Sequence, residues 1–271
     1  MNEIASNLTE ADLFFIVQVL MPGYRDRTRM VKALAEDEEM LEGMLKDEEL
    51  FKFIIDNPES IVKVSPQLFF TVVLFKVMND LEGQSYTVEQ EERINIFIFD
   101  SRNVVNFLKE KRILLYLIDM LCSFVKINSY TVMLRVKRGV WRRFKFSDFN
   151  IDSLMKYSEM IDEEGRFLSY KRIADICLFM TGIFPAYLGA QRSPRSLAQP
   201  GLVSASRKSK EELRTYGRHF YRAAAHHREA YTHRLHKVLL SLSEKFDLAE
   251  KPLTFMSQRY LGFLKETLFL Q

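Results

Sequence analysis

The sequence predicts a mainly helical, multi-helix globular array (an all-α fold) with one small β-hairpin near residues 130–146. Three observations predict it. N-cap residues recur ahead of amphipathic segments, 47 % of the chain is hydrophobic with 22 Phe and 11 Tyr, and a single stretch alternates with the two-residue period of a strand.

Thr9-Glu10-Ala11-Asp12 opens the first helix, with a capping hydroxyl and an acid three residues on, followed by Leu13, Phe14, Val17 and Leu20. Pro22-Gly23 ends it, and a second amphipathic stretch runs from Arg25 to Ala35. From Asp37 a short repeat appears: Asp37-Glu38-Glu39, Asp47-Glu48-Glu49 and Asn57-Pro58-Glu59, at ten-residue spacing. Each unit puts a cap and acids at the positive end of a two-turn helix. Helices this short need a longer element to lie on. Ser65-Pro66, a cap with proline at the first helical position, starts that element, a nearly all-apolar core helix over 65–81.

A polar loop is expected over Glu82–Glu92, apolar residues resume in Ile94–Phe99, and a helical stretch from about Arg102 to Val125 carries a possible break near Lys111. Over Tyr130–Phe146 alternation favours a hairpin turning at Gly139. A three-residue loop pairs Val136 with Val140, Leu134 with Arg142, Val132 with Phe144 and Tyr130 with Phe146, and sets Arg135 opposite Trp141. A two-residue loop would oppose Arg135 and Arg142, a like-charge pair. Helices return at Ile151–Asp162 and Phe167–Gly182. Residues 189–210 hold five Ser, two Pro, two Gly and five basic residues without an acid or an aromatic ring, the profile of a mobile loop. Beyond it, 209–246 has no proline and one glycine, so a long helix is expected there. The organisation read from these elements is an acidic helical part, 1–129, a basic hairpin, 130–146, and a basic helical part, 147–271.

Net charge is +3, unevenly spread: residues 1–100 hold 9 Lys and Arg against 20 Asp and Glu, whereas residues 101–271 hold 30 against 16. The two parts attract each other within one fold, or the basic part meets an anionic partner. Cys122 and Cys177 lie in apolar helical runs and read as free buried thiols, which suits a reducing compartment. Acids precede the first apolar stretch, where a signal peptide carries basic residues, so a cytoplasmic protein without membrane spans is expected.

Two clusters carry chemistry. The hairpin face with Arg135, Trp141, Arg143 and Lys145 offers cations for phosphates and an indole for stacking, and the loop residues Arg192, Arg195 and Lys208 extend it. Ordinary solvated arginines are the plainer account of that face. All five histidines fall between 219 and 236. On one continuous helix His219, His226 and His233 share a face, with Glu229 and His236 at its margin, ligand types that suit a transition metal. That face lies opposite the apolar stripe, as a solvated polar face does.

The chain has no phosphate loop, no dinucleotide fingerprint, no nucleophile elbow, no H-E-x-x-H and no C-x-x-C. No cofactor is expected. The leading expectation is a non-enzymatic interaction or regulatory protein whose basic C-terminal part holds an acidic partner, protein or nucleic acid. The rival is a metal-binding protein or hydrolytic enzyme built on His226, Glu229, His233 and His236. Homo-oligomerisation through the histidine face is the third reading.

Overall fold

The computed structural model describes residues 3–57, 63–83, 87–91, 94–98, 100–125, 129–137, 140–147, 150–188, 208–262 and 264–269. The chain divides into two compact units, Met1–Cys122 and Ser123–Gln271. No described helix is long and apolar enough to cross a membrane.

In the first unit α1 (Glu10–Leu20), α2 (Arg27–Glu36), α3 (Glu38–Leu45) and α4 (Glu48–Asp56) precede the long α5 (Pro66–Glu82). The caps act as their residue types dictate: the Asp26, Asp37, Asp47 and Ser65 side chains each accept a first-turn backbone N–H. Helix α5 buries Leu68 through Phe75 without interruption, then Val77, Met78 and Leu81, so it is the centre of this core. The short helices present Leu41, Leu45, Leu50 and Ile54 as buried residues, supplying the tertiary packing that two or three turns need.

One carboxylate joins the two ends of this arrangement. Asp12, 2 % exposed, completes a capping box with Thr9 through Oδ2, while its Oδ1 accepts the Ser65 backbone N–H at 2.9 Å. The residue that caps α5 is thereby tied to the first turn of α1. Lys76 on α5 reaches Glu48 of α4 at 2.7 Å and Asp80 at 2.9 Å, and its ammonium is held above its ordinary range chiefly by the Glu48 hydrogen bond. Helix α6 (Ser101–Leu108) and helix α7 (Lys111–Val125) are separate, with the break two residues before Lys111. Lys109 pairs with Glu82 at 2.6 Å, and Lys111 pairs with Glu38.

The strands require a correction. The helical array stands, but the expectation of one hairpin does not, because among the described residues backbone pairing occurs in two separate two-stranded antiparallel ribbons. In the first, β1 (Thr87–Glu91) pairs with β2 (Ile94–Ile98), with Thr87 opposite Ile98 and Glu91 opposite Ile94. The sequence reads as a polar loop across β1 because Glu89-Gln90-Glu91 breaks any apolar alternation. Only Ile94, Ile96 and Ile98 keep the strand period. In the second, β3 (Ser129–Lys137) pairs with β4 (Val140–Ser147), and Val140 lies opposite Lys137 rather than Val136. A register shift between Arg135 and Lys137 absorbs the extra residue that a three-residue loop was expected to take up.

The second unit is organised around α9 (Arg166–Ile183), which buries every residue from Ile173 to Ile183. A helix buried all round must be covered on several sides. Helix α8 (Ile151–Met160), with Asn150 as its cap, precedes it. After it come α10 (Lys210–His226), α11 (Arg228–Thr232), α12 (His236–Glu244), α13 (Phe246–Met256), a π-turn over Ser257–Leu261 and α14 (Leu264–Phe269). Phe179 is the aromatic hub, stacked on Phe124 at 4.1 Å and edge-on to Phe269 at 4.9 Å. Buried Asp175 accepts from Tyr221 Oη at 2.9 Å and from Lys171 Nζ at 2.8 Å, which joins α9 to α10 through a satisfied polar contact.

The single long helix expected over 209–246 is replaced by α10, α11 and α12. Its breaks come from two residues with no helix-breaking reputation. His227 adopts extended backbone, φ −73° and ψ 145°, and Arg234 has φ 56°. The expected loop 189–210 lies outside the described residues up to 207; Ser209 is the capping residue of α10 and forms a capping box with Glu212.

A candidate anion-binding corner

The two breaks build a corner between α10 and α12, and each is held by specific bonds. At the first, the His227 ring caps α11: its Nδ1 accepts the Glu229 backbone N–H at 3.2 Å while Nε2 lies 2.7 Å from the Glu163 carbonyl oxygen. An imidazole with its proton on Nε2 makes both bonds at once. At the second break, Arg234 N–H donates to the Tyr231 carbonyl at 3.1 Å and Leu235 N–H to the Ala230 carbonyl at 2.7 Å. That pair of bonds is the Schellman reversal, which usually carries glycine at the left-handed position. Here the position is Arg234, at a cost of about 1 kcal/mol for a side chain in that region.

The histidines are distributed by this geometry rather than aligned on one face. His226 Nδ1 lies 2.8 Å from the Arg222 carbonyl oxygen, and His236 Nδ1 lies 2.7 Å from that of Ala225. Their rings meet edge to face at 6.1 Å. His236 also stacks on Tyr231, with ring centroids 4.3 Å apart and 17° between planes. His233 turns elsewhere: it lies parallel to the Phe167 ring at 5.9 Å, with Nε2 3.4 Å from Glu229 Oε2. The set His226, Glu229, His233 and His236 therefore does not converge. Among the described residues no three His, Cys, Asp or Glu side chains stand where they could hold one metal ion. Two imidazoles fall short of the three or four ligands that a zinc site takes.

The cations of this unit separate into two groups. At the start of α10 they are neutralised: Arg214 grips buried Glu250 with two bonds of 2.9 Å, Lys210 reaches the same carboxylate at 2.8 Å, and Arg218 meets Asp247 at 2.6 Å. This ladder fixes α10 against α13. Toward the corner the pattern stops. Arg222, Arg228, Arg234 and Lys237 are exposed, and none is paired with an acid among the described residues. Between residues 213 and 237 the only acid is Glu229. Arg218, His219 and Arg222 line a shallow pocket of about 450 Å³ with Ser243 and Glu244 of α12.

The site residues expected from sequence fare differently. Arg135 lies opposite Trp141 in the β3–β4 ribbon, Arg143 opposite Met133 and Lys145 opposite Thr131, but their side chains are outside the described residues. Arg192 and Arg195 are outside them altogether. Lys208 is not free for a partner, because its Nζ lies 3.2 Å from Asp152 and over the Tyr216 ring at 5.2 Å. The free cations at the corner went unremarked in the sequence. Their signal was present in the run from Leu213 to Lys237, six Lys and Arg with a single acid.

The thiols are withheld from nucleophilic chemistry. Burial, with Asp119 adding to it, pushes Cys122 up to about 12, and burial raises fully enclosed Cys177 as well. Comparison of the chain with family models, curated proteins and solved structures finds no match. The C-terminal unit is helical and leaves a basic, histidine-rich corner exposed.

Proposed function

We propose that this chain is a non-enzymatic interaction protein that holds an acidic partner through the basic corner of its C-terminal unit. The observation that carries the proposal is the contrast along α10 and its continuation. Lys210, Arg214 and Arg218 are neutralised by Glu250 and Asp247, whereas Arg222, Arg228, Arg234 and Lys237 are exposed and form no ion pair with an acid among the described residues. Like charges gathered on one surface raise its potential and repel one another, and a polyanion offsets both effects. Protonated thiols and the lack of catalytic motifs in the sequence support a binding role over a covalent one.

Binding to heparin, taken as a generic polyanion, is the direct test. Affinity is expected to fall steeply as salt rises from 50 to 200 mM, because each displaced counterion adds to the slope. The combined variant Arg222→Gln, Arg228→Gln and Lys237→Gln is expected to lose most of the binding and to flatten the slope. A triple variant that binds as the parent does at every salt concentration removes the corner from this role.

A further inference from the structure

We infer that the acidic partner is single-stranded nucleic acid, with Tyr231 supplying a stacking face for a base and Arg222, Arg228, Arg234 and Lys237 supplying phosphate contacts. The inference rests on the proposed anion-binding role of the corner and narrows it. A cation patch alone does not distinguish an acidic peptide from a nucleic acid. The aromatic ring does.

Tyr231 is 57 % exposed although it lies on a five-residue helix in the middle of the basic run. One of its faces is covered by the His236 ring at 4.3 Å, so the exposed area belongs to the edge and the opposite face. His236 is itself anchored by Nδ1 at the Ala225 carbonyl, which fixes the stack before any ligand arrives. A rigid ring backed by a second ring and open on its outer side accepts a nucleobase with little further ordering, and stacking of this kind tolerates every base. Carboxylates of an acidic peptide have no π-face to stack on such a ring.

Exposed cations flank Tyr231 along the chain. Arg228 precedes Tyr231 within α11, and Arg234 follows it in the left-handed position where glycine costs least. Single strands fit the arrangement better than duplexes, whose base faces are already stacked. Four phosphate contacts on a single strand give a slope of about −3 in log affinity against log salt.

The experiment is fluorescence anisotropy of the full chain with a labelled single-stranded oligonucleotide of mixed sequence. The same-sequence duplex and polyglutamate serve as competitors. The single strand is expected to bind ahead of both, with a salt slope of about −3. Tyr231→Ala is expected to lose about tenfold in affinity, while Tyr231→Phe, which keeps the ring, retains it. Arg222→Gln and Lys237→Gln should each reduce the slope by about 0.7. Equal displacement by polyglutamate, preference for the duplex, or full affinity in Tyr231→Ala overturns the nucleic-acid inference and leaves the anion-binding proposal standing. Failure of the chain to bind oligonucleotide, polyglutamate and heparin alike overturns both.

Discussion

Gly217 lies where α10 crosses α9 and meets α13, and replacing it by alanine tests the packing that holds α10 in place. A Cβ at this position would stand 2.3 Å from Phe246 Cε2, 2.7 Å from Phe246 Cζ and 3.1 Å from Cys177 Cβ. Phe246 has no exposed surface, lies 6.2 Å from the Tyr221 ring and carries the Arg218 guanidinium over its face at 5.9 Å. The ring must therefore retreat by about 1 Å against atoms already in contact, in an interior packed as densely as an organic crystal. Overpacking of this kind costs about 1–3 kcal/mol, and two ring atoms inside 3 Å put this site at the upper end. Alanine returns about 1 kcal/mol of helix propensity in mid-helix, so the net loss is about 1–2 kcal/mol. For a unit of this size that lowers the melting temperature by about 5 °C. Urea unfolding followed by far-ultraviolet circular dichroism measures it. The double variant Gly217→Ala, Phe246→Leu should show a favourable coupling of more than about 0.5 kcal/mol, because the smaller side chain vacates the clash. Gly217→Ala as stable as the parent, or more so, would refute the close approach.

Glu250→Gln should be far more damaging than a surface charge change, at about 3 kcal/mol, because Arg214 and Lys210 lose the carboxylate they share in a buried setting; chemical denaturation reads it directly, and a loss below 1 kcal/mol would count against the ladder. His227→Ala should destabilise by about 1 kcal/mol more than His227→Asn, since asparagine still caps the Glu229 N–H while both lose the bond to Glu163. Equal stability of the two would show that the ring does not cap α11. Native protein at pH 8 should resist alkylation of Cys122, whose thiol is pushed up to about 12, and should react fully once unfolded in urea. The linkage runs the same way: a thiol raised from 9.0 in the folded state contributes stability below pH 9 that is lost progressively as pH rises toward 12. Rapid native labelling would contradict the raised thiol of this half-buried residue.

What could be read ahead of the structure was whatever local chemistry enforces. The Thr9 and Asp12 capping box, the aspartate caps of the repeat and the Ser65-Pro66 start of α5 all appear where side chains compete for first-turn N–H groups. The same Asp12 shows where such reading stops. Its second oxygen binds the Ser65 N–H, a contact 53 residues away in sequence that no local pattern announces. The first ribbon was hidden for a similar reason, since a polar strand such as Thr87–Glu91 is specified by its partner and not by its own alternation. At the corner, the missed signals were a reversal carrying Arg234 where glycine is customary and a cap supplied by the His227 ring, neither of which belongs to the usual vocabulary of helix ends.

The sequence by itself determined that this chain is built mainly of helices, where most of them start, and that positive charge accumulates toward its C-terminal side. These follow from propensity, capping and composition, which act within a few residues. Only the tertiary structure decided which of those charges are spent and which are left. Helix α13 brings Asp247 and Glu250 to the first half of α10, whereas Arg222, Arg228, Arg234 and Lys237 form no ion pair with an acid among the described residues. Neutralisation depends on distance in space, and the breaks of the helix at His227 and Arg234 turn an expected histidine stripe into a basic corner.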